Sequence, residues 1–163
     1  LALSITLLIS ACNLDEIETN DNTTGGESGE TGRVTRVIDG DTIDVEINGE
    51  TFRVRYIGVN TPERDEPCYA EATDANEALV MGQTVRLEID ESDTDRFDRL
   101  LRYIYVGDTF VNETLVADGY AEAVLYRPDD REFENFRTLE REAARQGLGC
   151  HSTGIFDDGN DER

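Results

Sequence analysis

Lysine and tryptophan are absent from this 163-residue chain, and histidine occurs once. A single histidine, His151, supplies no pair for a His-based metal cluster and disfavours a Ser-His-Asp triad. All the basic side chains are arginine, 15 of them against 37 acids, for a formal net charge of −22. That balance argues against a polybasic arm coating nucleic acid without selectivity. It leaves open an enzyme whose few arginines are placed locally. Long apolar runs are missing too. The stretch Leu1–Ala11 is uncharged, but a helix needs about 20 apolar residues to cross a bilayer. The length suits one ordinary domain plus tails.

What is present at the start has the character of an export signal. Residues 1–11 match an apolar signal core that lacks an initiator Met and a basic flank, so the start is expected to be clipped. The run ends Ile9-Ser10-Ala11-Cys12, which resembles the lipobox of prokaryotic lipoproteins and implies lipidation at Cys12. A cleaved signal with a chance cysteine is the alternative. Residues 12–32 are acidic, rich in Gly and Thr, and offer almost nothing to bury, as in a disordered tether. An extracytoplasmic location follows, either anchored to a membrane through Cys12 or secreted. With Cys12 assigned to lipid, Cys68 and Cys150 remain as a pair for a disulfide, a bond that persists outside the cytoplasm. Two free thiols are the competing possibility. The acidity and the missing lysine resemble proteins of salt-loving organisms, where salt screens charge to about 3 Å at 1 M.

From residue 33 onward the pattern is a β-meander with interleaved helices. Arg33–Ile38 and Thr42–Ile47 alternate apolar with polar residues, as half-buried strands do. Asn48-Gly49 is a hairpin signal, and Thr51–Val59 is the return strand. Thr84–Ile89 and Leu100–Val106 complete five expected strands. Tyr69–Met81, Asn112–Asp118 (with Asn112 as its cap) and Arg131–Gln146 are expected helices, the last with Phe133, Phe136, Leu139 and Ala143 on one face. This order suits a mainly β domain over residues 33–150: a five-stranded OB-fold Greek-key barrel plus three α-helices. Residues 151–163, His151 included, are expected as a flexible acidic tail.

Chemistry-bearing residues cluster at three places. Asp39-Gly40-Asp41-Thr42 offers hard carboxylate oxygens of the kind Ca²⁺ prefers. Arg55 through Glu63 carries a guanidinium on a strand, then Asn60, Thr61 and Glu63 on a loop ended by Pro62. Asp95-Arg96-Phe97-Asp98-Arg99 adds further guanidinium groups before the fifth strand. A phosphodiester undergoing hydrolysis gathers charge on its non-bridging oxygens. Planar arginine forks match those oxygens, a cation neutralises the charge, and a carboxylate can take a proton from water.

The order D-G-D-T, then R-x-x-x-V-N-T-P-E, then D-R-F-x-R, followed by Val111-Asn112-Glu113 and Leu115-Val116, resembles the thermonuclease (staphylococcal nuclease-like) family from about Arg33 to Leu148. The resemblance implies an OB-fold and a Ca²⁺-dependent phosphodiesterase acting on DNA and RNA that leaves 3′-phosphate ends. Carried over, Asp41 is a calcium carboxylate, Asn60 stands where many members have a second Asp, and Thr61 lends a backbone carbonyl. Glu63 is the general base, Arg55 the phosphate clamp and Arg99 the second arginine. Arg96, Phe97 and Tyr126 resemble substrate-gripping positions, with core or rim packing as the plain alternative for the two aromatics.

Two departures stand out. Asn60 drops one negative charge, so weaker Ca²⁺ binding is expected unless surrounding acids compensate. Asp98 replaces the usual Gly, where a positive φ is tolerable to Asp, and it is a potential partner for Arg99. A monomer with no protein partner is implied. The rival reading is a non-catalytic OB-fold module that binds nucleic acid or protein.

Overall fold

The computed structural model describes residues 29–157. Strands β1 (Glu30–Val37), β2 (Thr42–Ile47) and β3 (Glu50–Tyr56) form an antiparallel meander. Asn48 and Gly49 both take positive φ, 53° and 86°, which matches the strand twist in a two-residue turn and sets the register Ile47 opposite Glu50. The return strand is shorter than expected. Ile57 and Gly58 form a turn, with Gly58 at φ 74°, and the chain resumes as the two-residue β4 (Val59–Asn60).

Helix α1 (Tyr69–Val80) leads to β5 (Thr84–Glu88), which pairs with the start of β1, and then to β6 (Leu100–Val106). The barrel closes where β6 pairs with β3 in parallel, Val54 opposite Leu100 and Tyr56 opposite Arg102. Five strands in the order β3-β2-β1-β5-β6 therefore form the closed OB-fold barrel, with three α-helices beside it. The short β7 (Thr109–Phe110), α2 (Val111–Ala117), β8 (Glu122–Ala123) and α3 (Phe133–Gln146) follow, then a 3₁₀ turn over Gly149–Thr153.

Inward-facing Ile43, Val45, Val54, Tyr56, Val85, Leu87, Tyr103 and Ile104 fill the barrel. Helix α3 turns Phe136 and Ala143 onto this core, with Phe133 and Leu139 partly buried beside them, as its 3.6-residue pattern requires. Gly147 takes φ 64° at its end.

Four further expectations change. Glu30 already pairs with β5, so a strand begins inside the segment assigned to the tether; the remainder of that segment up to residue 28, and Cys12 with it, lies outside the described residues. His151 is half-buried in the 3₁₀ turn with its ring edge-on to Phe156, so it is not a loose tail residue. Asn112 does not cap α2. Phe110 occupies that position, and the buried Asn112 amide instead accepts from Ile104 N–H (2.9 Å) and donates to the Ile57 carbonyl (3.0 Å). It thereby ties β6 to the turn that interrupts the return strand. Helix α3 starts at Phe133, two residues later than the expected start at Arg131.

The disulfide is present. Cys68, directly before α1, bonds Cys150 in the 3₁₀ turn, with Cα atoms 5.5 Å apart.

Candidate active site

The three motif segments converge on one cavity of about 350 Å³. It is lined by Asp39 and Asp41 from the turn before β2, by Arg55 from β3, and by Asn60 and Glu63 from the segment after the Gly58 turn. Arg96, Phe97 and Arg99 from the loop before β6 and Tyr126 beyond β8 complete it. Of the residues singled out from sequence for catalysis, metal or substrate, only Thr61 is missing from the lining. It is buried behind Asp41.

Barrel register explains the first contacts. Thr42 sits opposite Arg55 across β2 and β3, and Tyr56 N–H donates to the Asp41 carbonyl at 2.9 Å, so Asp41 and Arg55 are neighbours by construction. Asp41 is 4% exposed. One of its carboxylate oxygens accepts from the Thr42 hydroxyl (3.1 Å). The other accepts from Thr61 N–H (2.9 Å) and the Thr61 hydroxyl (3.0 Å), and lies 3.2 Å from the Arg55 guanidinium. Gly40 is what allows this packing. A Cβ there would lie 2.7 Å from Thr61 Oγ1, closer than a Cβ atom approaches its neighbours.

Arg55 is anchored further by donating to the backbone carbonyls of Tyr56 (2.9 Å) and Val59 (2.8 Å). Asp39 stands beside Asp41, and its side chain accepts from Asp41 N–H at 3.1 Å. Burial first, then the Asp41 charge, push the Asp39 carboxyl up to about 6, against the opposing pull of that N–H, the Thr42 hydroxyl and Arg55. The buried Asn76 donates to the Asp39 carbonyl (2.9 Å) and accepts from the Tyr56 hydroxyl (2.8 Å), fixing the turn to the barrel wall.

On the opposite side, Arg99 is held by Asp95 rather than by Asp98. Asp98 is exposed and takes the positive φ (60°) that its position implied. Phe97 is 63% exposed and Tyr126 43%, so both are rim residues and neither belongs to the core. The Arg96 guanidinium lies over the Phe97 ring at 4.7 Å. Glu63 is exposed, and its loop is braced by Glu66, which accepts from Glu63 N–H at 2.7 Å and donates its own N–H back to the Glu63 carbonyl at 2.8 Å.

Two acids near the site carried no signal in the sequence. Glu122, on β8 opposite Asn60, is buried and accepts from the Asn60 amide at 2.8 Å. Asp129 is buried in the cavity wall, and one of its oxygens accepts from the N–H groups of Glu91 and Ser92 at 3.0 and 2.7 Å. Asp129 thus ties the Tyr126 loop to the loop that leads to Arg99.

For a cation, the donor set around Asp41 and Asn60 is oxygen only: a carboxylate, an amide and neighbouring carbonyls. Hard ions such as Ca²⁺ favour that set, and soft metals do not. Among the described residues no three His, Cys, Asp or Glu side chains converge as a cluster. Burial and then the Asp41 charge raise the Asp39 carboxyl, and a cation beside the two acids would relieve the part of that strain due to Asp41, so the oxygen donors fit such an ion.

A five-stranded OB barrel whose rim gathers arginines, carboxylates and exposed aromatics around one cavity belongs to a class of small barrels that bind oligonucleotides or oligosaccharides. The family described as Staphylococcal nuclease homologue matches residues 53–153. A thermonuclease of Staphylococcus hyicus is 38% identical over 122 residues, 71% of this chain and 72% of its own. A thermonuclease of Staphylococcus intermedius is 37% identical over 126 residues, 74% of this chain and 75% of its own. The endonuclease YncB of Bacillus subtilis is 42% identical over 125 residues, 72% of this chain and 59% of its own. This chain belongs to the staphylococcal nuclease family.

Proposed function

We propose that this protein is an extracytoplasmic Ca²⁺-dependent nuclease that hydrolyses phosphodiester bonds of DNA and RNA, working as a monomer. The observation that carries the reading is the convergence of Arg55, Arg99, Glu63 and Asp41 on one cavity from three separate segments of chain. Relatives at 37–42% identity bear the names thermonuclease and endonuclease, which supports the activity. The Cys68–Cys150 bond supports a compartment where disulfides persist, in keeping with a lipid anchor at Cys12.

In this reading the phosphate sits between the two guanidinium groups. Arg55 is pinned by two backbone carbonyls and Arg99 by Asp95, so each fork is fixed before substrate arrives. Preorganised donors of this kind cost no reorganisation as charge builds on the phosphoryl oxygens, and they are worth about 3–4 kcal/mol each. Glu63, exposed at the rim, accepts the proton of the attacking water. Asp41 and Asn60 would hold the cation, with the Thr61 carbonyl as the further oxygen that the family resemblance implies. When bound, the cation neutralises phosphoryl charge and helps orient the water. Phe97 and Tyr126 present open ring faces on which bases stack without sequence preference, and Arg96 adds charge beside Phe97.

Cleavage of DNA and RNA with Ca²⁺, with EGTA, and by Glu63→Gln tests the reading across 0.1 to 3 M salt, on the order of the range over which screening changes most. Ca²⁺-dependent cleavage by wild type that is nearly lost in Glu63→Gln is the expected result. No cleavage at any salt favours the binding-module alternative. The family resemblance, which implies a charged ligand where this chain has Asn60, speaks for that alternative.

A further inference from the structure

The amide at position 60 is not left to itself. Strands β4 and β8 pair antiparallel with Asn60 directly opposite Glu122. The Asn60 amide nitrogen donates to Glu122 Oε1 at 2.8 Å, and Glu122 is only 4% exposed. An ionised carboxylate accepts hydrogen bonds and donates none, so it can face only the NH₂ end of an amide. That fixes the Asn60 oxygen on the other side, toward Arg55, whose guanidinium nitrogen approaches it at 3.5 Å and stands 3.2 Å from Asp41. The arrangement forms a line: Glu122, Asn60, Arg55, Asp41. Its carboxylates lie at the two ends, and Arg55 sits beside Asp41.

We infer that Glu122 is the positioning residue of the cation site, turning the Asn60 oxygen into the cavity and supplying from behind it the negative charge that the amide lacks. The inference rests on the nuclease reading for the identity of the ion. The charge stands one strand pair away from the side chain that would touch the cation, on the residue that orients it. Residues that orient metal ligands by hydrogen bonding typically change metal affinity by about 10–100-fold when altered.

The pairing also makes positions 60 and 122 dependent on each other. An Asp at position 60 would set two carboxylates face to face across β4 and β8, and like charges directly opposite in a sheet destabilise it. With Gln at position 122 the same Asp regains a donor, and the charge is simply transposed.

The experiment compares wild type, Glu122→Gln, Asn60→Asp and the double variant, in two measurements: Ca²⁺ binding by calorimetry, and thermal melting of the chelator-treated proteins. Glu122→Gln keeps an acceptor for Asn60 and removes the charge, so Ca²⁺ should bind roughly tenfold more weakly. Asn60→Asp should melt below wild type without Ca²⁺, and the double variant should melt above Asn60→Asp. The gain in Ca²⁺ affinity from Asn60→Asp should be larger in the Glu122→Gln background than in wild type, a non-additivity that a purely structural role for Glu122 would not produce.

Unchanged Ca²⁺ affinity in Glu122→Gln, or effects of the two substitutions that simply add, overturns the inference and leaves the nuclease reading standing. Wild type that takes up no Ca²⁺ overturns both. If Glu122→Gln fails to fold, the comparison of Asn60→Asp with the double variant decides the matter.

Discussion

Arg99 and Asp95 clasp each other through both backbone and side chain. The Asp95 carboxylate accepts from the Arg99 backbone N–H at 3.1 Å and from its guanidinium at 2.7 Å, while Asp95 N–H donates to the Arg99 carbonyl at 3.0 Å. The three-residue loop between them is thus a preset cradle that aims one guanidinium at the cavity. Replacing Arg99 with Ala should reduce kcat by about 10²–10³-fold, the usual loss of a transition-state donor. Asp95→Asn keeps the arginine but loosens its aim, so its loss in kcat should be smaller, with KM for DNA changed little. A larger loss in Asp95→Asn than in Arg99→Ala would show that Asp95 itself takes part in the chemistry.

The same clasp predicts a pH dependence. Burial alone would raise the Asp95 carboxyl, but the N–H groups of Arg99 and Phe97 and the Arg99 guanidinium outweigh it and hold the carboxyl below the ordinary range. A depressed folded-state value means that the stabilisation is complete above the unfolded carboxyl's titration, near pH 3.9, and is lost as pH falls through the folded value. His151 acts in the same direction at higher pH. Burial lowers it below 6.5 despite the opposing charges of Glu140 and Asp157, so folding resists its protonation and stability falls as acid is added. Urea midpoints should therefore decline from pH 7 to 5 by less in His151→Gln than in wild type. Below about pH 4 the decline should be shallower in Asp95→Asn than in wild type.

Gly40 offers a structural test of the site. A methyl group there would meet the Thr61 side chain at 2.7–2.8 Å, and Thr61 carries two of the hydrogen bonds to Asp41. Overpacking of this kind costs about 1–3 kcal/mol. Gly40→Ala should lower the urea midpoint and also raise the Ca²⁺ concentration needed for half activity, because relief of the clash displaces the residues that hold Asp41. A stability loss with an unchanged Ca²⁺ requirement would separate the turn from the cation site.

What could be read in the sequence, and what could not, follows from how far apart the cooperating residues lie. The Asn48-Gly49 hairpin and the face of α3 are local patterns, and both stand as expected. The gathering of Asp41, Arg55, Glu63 and Arg99 was legible because each sits in a short motif whose order resembles the family's. Strands of two residues, β4 and β8, leave no alternation to detect. Glu122 and Asp129 matter only once the barrel has closed: Glu122 meets Asn60 across a separation of 62 residues, and Asp129 meets Glu91 across 38. Asn112 was misread because an Asn at a helix start usually caps it. Here the Ile57 carbonyl and the Ile104 N–H engage the two ends of the amide, and satisfying both outweighs one cap.

The disulfide joins the end of the Glu63 loop to the 3₁₀ turn, across a sequence separation of 82. In the chain-entropy account such a closure stabilises by about 4 kcal/mol. Cys68→Ala/Cys150→Ala should therefore unfold at clearly lower urea. Under conditions where it stays folded, it should also show reduced kcat, because Cys68 anchors the segment that follows Glu63 and Glu66. A variant with wild-type kcat would mean that the Glu63–Glu66 hydrogen bonds alone hold the loop.

Salt gives the last prediction. The net charge is −22, and six of the acids precede residue 33, so the remainder still carries −16. Nuclease substrates are polyanions, and a basic protein that binds them releases counterions, which makes its affinity fall steeply as salt rises. Here few arginines face the cavity, and two of them, Arg55 and Arg99, are already paired with Asp41 and Asp95, while acids dominate elsewhere. Lowering salt lengthens the Debye length from about 3 Å at 1 M to about 10 Å at 0.1 M and exposes DNA to the repulsion of the whole surface. A plot of log kcat/KM against log salt should therefore be flat or rising between roughly 0.1 and 1 M. A steep negative slope would show that the local arginine field governs encounter despite the acidic surface.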